Sequence, residues 1–344
     1  MNLKRFITLL ISLLLILGLV LGYNFYNKIY KSNTIKEGFI YISTNSSYND
    51  VENNIRPFLK RVNSFNFIAN LKGYPNTIKP GKYKITEGMS NNKLINLLRN
   101  GKQTAVKLSF NNQDSFEKLA GRISQQIEAD SITLLYSFQD STFLKESGFN
   151  TKTALAMYIP NTYEFYWNTS ATLFRSKMKD EYKRFWNSER LEKAKKLNLT
   201  ENEVITLASI VQKETSYVKE RPIVAKLYLN RLQEQWPLQA DPTIIFALKE
   251  KTGVDTVIKR VLTKDLEIES PYNTYKNLGL PPGPISMPDI SSIDAVLNPA
   301  NHDYFFMCAS ITKIGTHEFA KTLSQHNQYA AKYQLWLSKQ GINR

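Results

Sequence analysis

Glu214 is the residue of this sequence best placed to act as an acid. It ends the run ENEVITLASIVQKE, in which Val204, Leu207, Ala208 and Val211 recur at the spacing of one helix face and the same stripe arrives at Glu214. A carboxyl at the end of a buried face is partly desolvated. That disfavours the charged form and raises the pKa toward the range in which the group donates a proton near neutral pH. The last turn of a helix also lets the side chain rotate into solvent and pair with Lys213 or Arg221, and periodicity alone does not choose between these outcomes. Further on, PLQADPT sets Gln239, Asp241 and Thr243 around a proline turn, and SPYNTYKNLGLPPGPI gathers Tyr272, Asn273 and Tyr275 ahead of a Pro-Gly loop. Rings beside amides and hydroxyls suit a sugar, because pyranose faces stack on aromatics and hydroxyls need donors and acceptors. The same residues also make an ordinary rigid turn.

Other chemistries find less support. His302, His317 and His326 show no i, i+4 metal spacing, and there is no HExxH, EF-hand or Walker sequence, so neither a metal nor a nucleotide or other cofactor is expected. No GxSxG elbow marks a serine nucleophile. The one cysteine, Cys308, excludes an intramolecular disulfide and a thiolate cluster.

The elements that must hold these residues can be read from local pattern. A strand over Phe39 to Ile42, helices near 48–56 and 58–71 interrupted by Pro57, and a strand over Lys82 to Ile85 after Lys79-Pro80-Gly81 make a compact βααβ unit. Ser90 is expected to cap a helix that carries Leu94, Leu97 and Leu98 and stops at Asn100-Gly101, before a strand-like stretch from Gln103 to Phe110. Asp114 with Glu117 reads as a capping box for a helix burying Phe116, Leu119, Ala120, Ile123 and Ile127, and Thr200 with Glu203 as another. Residues 172–197 read as one helix, Arg221 to Glu234 as a second with Pro222 in its first turn, and Tyr304 to Cys308 as part of a small sheet.

Residues 6–27 carry no charged side chain and are long enough as a helix to cross a hydrocarbon layer of about 30 Å. Lys4 and Arg5 precede this stretch, and residues 28–37 form a short polar stalk after it. A cleaved signal peptide is the alternative. Bulky Leu21, Tyr23, Phe25 and Tyr26 where a small-x-small site would lie favour an uncleaved anchor, with the N-terminus inside and the bulk of the chain outside the cell membrane. Across 344 residues, 45 Lys and Arg against 30 Asp and Glu give a net charge of +15. An extracytoplasmic location makes nucleic acid an improbable partner for that charge and an anionic envelope a suitable one. The hydrophobic share of 42% and charged share of 22% are those of a globular chain.

LASIVQKET, NRL, LQADPTIIFAL, SPYNTY, GLPPGPI, LNPA, HEF and SQHN occur in order, after IKPGKYKITEGMSNNKLINLLRNGK and YIPNTYEF. In these segments, covering about residues 38 to 335, the chain resembles the YceG-like endolytic murein transglycosylases, the MltG family. The resemblance implies an α+β protein of three parts. A cytoplasmic tip, single transmembrane helix and stalk take residues 1–36, a small LysM-like βααβ domain 37–111, and a larger α+β catalytic domain 112–344. It also implies a lyase of the inner (plasma) membrane that cuts nascent peptidoglycan glycan strands between N-acetylmuramic acid and N-acetylglucosamine. The cut leaves 1,6-anhydromuramyl ends and terminates elongation beside peptidoglycan synthases. The family's catalytic glutamate, the one followed by Thr, maps onto Glu214, while Gln239, Asp241, Tyr272, Asn273 and Tyr275 fall in matching motifs as substrate-binding residues. Two departures stand out: Gln212, where many members carry Glu, and FNNQDSF at 110–116, where relatives often have a Pro-Glu-Gly turn. The alternatives are a hydrolysing muramidase using Glu214 with Asp241, and a catalytically silent wall-binding scaffold.

Overall fold

The computed structural model describes residues 3–253, 258 and 260–340, a mixture of helices and short strands that divides into two compact units. The first unit takes residues 1–108 together with 124–129 and 163–170, so the chain returns to it twice after leaving. It opens on α1, Leu3–Tyr30, a helix of 28 residues long and apolar enough to cross a membrane. Then follow β1 (Gly38–Ile42), α2 (Tyr48–Ile55), α3 (Val62–Leu71), β2 (Gly81–Ile85) and α4 (Asn91–Asn100), with β3 (Val106–Phe110) at the unit's edge.

The βααβ order is the one the local patterns dictate. β1 and β2 pair antiparallel with Gly38 opposite Ile85 and Ile42 opposite Gly81. The strand period of two turns Ile40, Ile42, Tyr83 and Ile85 into a core completed by Val51, Ile55, Phe65, Ile68, Leu94, Ile95 and Leu98. Ser47 caps α2 in a reciprocal box with Asp50, Ser90 caps α4 through the Lys93 amide, and Gly101 ends α4 in the left-handed conformation at φ 68°. The returning segments attach by specific contacts: both Glu128 carboxylate oxygens accept hydrogen bonds from Thr44, and Trp167 packs edge-on against Tyr41.

The expected polar stalk is not a free tether. The helix runs to Tyr30, and Asn33 and Thr34 are buried within the unit. Asn33 bonds the Asn91 side chain and the Arg61 backbone, and Asn91 in turn donates to the Lys28 carbonyl of α1.

The second unit comprises residues 109–123, 130–162 and 171–344. Its elements are α5 (Phe116–Ser124), α6 (Ser131–Phe138), α7 (Ser141–Glu146), β4 (Asn161–Phe165), α8 (Ala171–Phe185) and α9 (Ser188–Lys196). After these come α10 (Glu201–Glu214), α11 (Arg221–Gln233), α12 (Asp241–Thr252), α13 (Ile290–Leu297), β5 (Phe306–Ala309), β6 (His317–Ala320) and α14 (Leu323–Lys339). β3 pairs with β4, the unit boundaries falling within those strands, and β5 pairs antiparallel with β6.

Here the structure departs from the sequence reading in four places. The helix expected over 172–197 is two, because the Asn187 side chain accepts from the Arg190 amide and caps a new start. Ser115, not Asp114, accepts from the Lys118 amide at the start of α5, and Asp114 pairs with Lys213 instead. The strand expected over Tyr304 to Cys308 begins two residues later. The largest difference is α10: its capping box forms as expected at Thr200 and Glu203, but Val204 through Val211 are all buried rather than one stripe. A helix buried on every side is the centre of a core, and α10 packs against α9, α11, α12 and α13.

Candidate active site

Glu214 is the last residue of α10 and emerges where that central helix meets the surface. Neither cation expected to hold it in solvent is its partner: Lys213 pairs with Asp114 and Arg221 with Asp289 and Ser291. Instead the Tyr228 hydroxyl, from α11, donates a 2.7 Å hydrogen bond to Glu214 Oε1. The side chain keeps some exposed surface but is enclosed by protein on its other sides, and burial pushes the carboxyl up from 4.5 to about 7. The Tyr228 hydrogen bond and the Arg231 charge oppose that rise, while the negative charge of Asp241 adds to it. A carboxyl poised there is a proton donor at neutral pH and a competent acceptor once ionised.

Two turns carry the remaining groups, and Thr274 clamps them together. Its hydroxyl accepts from the Ala240 amide and meets Thr243 Oγ1 at 2.9 Å, while its carbonyl accepts from the Gln239 amide. Gln239 takes a φ of 50°, a left-handed conformation that sharpens the turn. The clamp brings SPYNTY onto LQADPT, and the Tyr275 hydroxyl donates to Asp241 Oδ1 at 2.6 Å. Burial and the Asp241 carboxylate raise the Tyr275 phenol well above its ordinary pKa, so it stays a donor. Gln239 and Asp241 are exposed and Tyr275 half-buried, and Asp241 and Tyr275 both lie close enough to Glu214 to interact with it electrostatically.

Tyr272 and Asn273 are placed otherwise. Asn273 is fully buried, donates to the carbonyls of Leu266 and Ile268 and accepts from the Tyr275 amide. Tyr272 is buried with its ring against Phe246. Both shape the loop that presents Tyr275. Asn273→Ala is accordingly expected to lower thermal stability by about 3 kcal/mol, the cost of stranding buried carbonyls. A binding role alone would instead leave melting unchanged and weaken only substrate capture.

Sequence reasoning passed over Tyr228, Arg231 and His317 as site residues. Tyr228 sits among packing positions of α11, and its signal was the hydroxyl, which a buried tyrosine must satisfy. Arg231 donates to the carbonyls of Phe305 and Leu238, fixing the segment before the Gln239 turn. His317 on β6 is held by buried Glu220, which accepts from both its amide and its Nδ1. Gln212 holds structure: its Oε1 accepts from the Asp289 amide and the Ser292 hydroxyl at the start of α13, work that a glutamate would do equally well.

Tyr228→Phe removes a donor that favours the carboxylate, so the proton on Glu214 should be held more tightly. A hydrogen bond to a charged group is worth about 1.5–3 kcal/mol, or about one to two pH units. The alkaline limb of the pH–rate profile is expected to move up by that amount, with the fold intact by circular dichroism.

Fold and site together define an α+β chain whose central helix presents one carboxyl of raised pKa beside a second, hydroxyl-bonded carboxylate. A model of the YceG-like family matches residues 40–332. The chain is 30% identical over 296 residues to the endolytic murein transglycosylase of Bacillus subtilis strain 168, which covers 80% of this chain and 78% of that protein. It is 28% identical over 299 residues to the endolytic murein transglycosylase of Streptococcus pneumoniae R6, spanning 78% of this chain but only 53% of the relative. A solved structure of a YceG-like protein from Listeria monocytogenes aligns with a TM-score of 0.57 at 27% identity, over 85% of this chain and 98% of that one. The chain belongs to the YceG-like family.

Proposed function

We propose that this protein is a membrane-anchored endolytic murein transglycosylase and that Glu214 is its one acid–base residue. The observation that carries the reading is a carboxyl raised to about 7 at the end of a buried helix with a tyrosine hydroxyl on it. The names of the Bacillus and Streptococcus relatives support the reaction class. Neutral Glu214 protonates the glycosidic oxygen between N-acetylmuramic acid and N-acetylglucosamine, and the bond breaks through an oxocarbenium-like state. The resulting carboxylate takes the proton of the substrate's own C6 hydroxyl as that oxygen closes on C1, so Glu214 ends protonated and the product carries a 1,6-anhydro ring. Glycoside cleavage ordinarily uses two carboxylates. Here the internal hydroxyl replaces water and one suffices. Asp241, paired with Tyr275, and Gln239 hold the strand, and the Asp241 charge adds to burial in keeping the acid's pKa high.

The α1 helix serves as an uncleaved single-pass anchor of the cell membrane, a reading supported by the packing of its last turn into the first unit. The βααβ unit is a LysM-like module. The protein trims or terminates nascent strands beside their synthases.

Digestion of peptidoglycan in heavy-oxygen water tests the reaction. Products with anhydro ends and no incorporated label are expected. A labelled reducing end would mean water attack and the muramidase pairing of Glu214 with Asp241.

A further inference from the structure

We propose that the last turn of α3, with Phe67 and Leu71, lies in the headgroup and outer acyl layer of the membrane beside α1. The proposal rests on the reading of α1 as a membrane span, and it adds a second lipid contact made by the folded unit itself.

The level of α3 along α1 is fixed by three contacts. Arg61, before α3, donates to the Ser32 carbonyl just past the end of α1. Ser64 receives a hydrogen bond from Asn91, whose amide also donates to the Lys28 carbonyl. Phe67 meets Phe25 edge-on with ring centroids 6.3 Å apart, and Lys28 Nζ lies 4.6 Å over the Phe67 ring. Thus Arg61 and residues 64 and 67 of α3 sit in turn beside Ser32 and residues 28 and 25 of α1: α3 runs antiparallel to the anchor, back toward the membrane. Leu71, one further turn along, falls near the level of Leu21.

Helix length sets the depth. The twenty residues from Phe6 to Phe25 span about 30 Å, the thickness of a hydrocarbon core. With Lys4 and Arg5 at one boundary, the other lies between Phe25 and Lys28, the first charge after the apolar run. Leu71 is then below that boundary and Phe67 at it. Both are exposed in the protein, Phe67 at 46% and Leu71 at 60%. Exposed Tyr26 and Tyr30 are the aromatic residues expected at an interface. The two segments themselves are basic: residues 24–36 and 61–72 contain lysines and an arginine but no Asp or Glu, with Glu52 of α2 held on Asn66, and this balance suits anionic headgroups. The Asn33–Asn91 clamp prevents the unit from swinging clear of the bilayer.

The test is nitroxide depth measurement on the full chain in phosphatidylethanolamine and phosphatidylglycerol vesicles, in a Cys308→Ser background. Leu71→Cys is compared with Ile16→Cys on the anchor and Asn45→Cys on an exposed loop. The expected result is a label at position 71 that collides with oxygen and is shielded from a water-soluble nickel chelate, shallower than position 16. If position 71 is as open to the chelate as position 45 while position 16 remains shielded, the anchor reading survives and this proposal is overturned. If position 16 is open as well, the spanning reading itself fails and this proposal with it.

Discussion

Glu214→Gln should reduce strand cleavage on the order of a thousandfold, the usual worth of a general acid, while making the protein more stable above pH 7. The two effects share one cause. A carboxyl whose pKa rises from 4.5 unfolded to about 7 folded binds its proton more tightly in the native state. Its stabilising contribution is therefore fully present below pH 4.5 and is lost as pH rises through 7, where a desolvated carboxylate remains. The loss amounts to about 3 kcal/mol. Glutamine keeps the hydrogen bond to Tyr228 and never ionises. Melting curves of wild type and variant should therefore coincide near pH 4 and separate above pH 7, the variant melting higher. A variant that melts lower at every pH would mean that Glu214 is a structural carboxylate rather than a stored acid.

Gly283→Ala should be nearly as damaging without touching the chemistry. A Cβ at Gly283 would stand 2.1 Å from the Lys152 carbonyl oxygen and 2.8 Å from its carbon. Backbone atoms cannot rotate aside as a side-chain tip can, so the Pro-Gly loop must move. Ile285, two residues on, donates its amide to Ser209 of α10, and Asp289 donates its amide to Gln212. Displacing the loop therefore pulls on the helix that presents Glu214. A loss of about 3 kcal/mol in stability of the second unit is expected, at the upper end for overpacking, together with most of the activity. Gly279→Ala is the control. It has a φ of 80° but nothing within 4 Å of its Cβ, so only local strain of about 1–2 kcal/mol is expected there. Equal melting of the two variants would show that close approach at Lys152 is not what Gly283 provides.

What the sequence made legible was what neighbouring residues decide. Ser90, Gly101 and the Thr200–Glu203 box act within a turn of themselves, and the alternation of β1 and β2 follows from the pleat. The position of Glu214 at the end of an apolar helix was equally local. The contacts that complete the site were not. The Thr274 clamp joins turns more than thirty residues apart in the chain. The hydroxyl bond from Tyr275 to Asp241, 34 residues apart, is likewise set by the tertiary fold. Nothing in a single sequence shows that the Asn273 amide holds two buried carbonyls or that the Tyr272 ring packs on Phe246. The same limit hid the Asn33–Asn91 pair, 58 residues apart, which turns an apparent stalk into part of a folded unit.

The most direct test is the titration of the Glu214 carboxyl itself, by infrared difference spectroscopy of the full-length protein against Glu214→Gln across pH 3 to 9. A neutral carboxyl band that persists at pH 6 and disappears with a midpoint near 7 is predicted. A band already gone at pH 6, with a midpoint near the ordinary 4.5, would leave no proton on Glu214 to give and would contradict the mechanism.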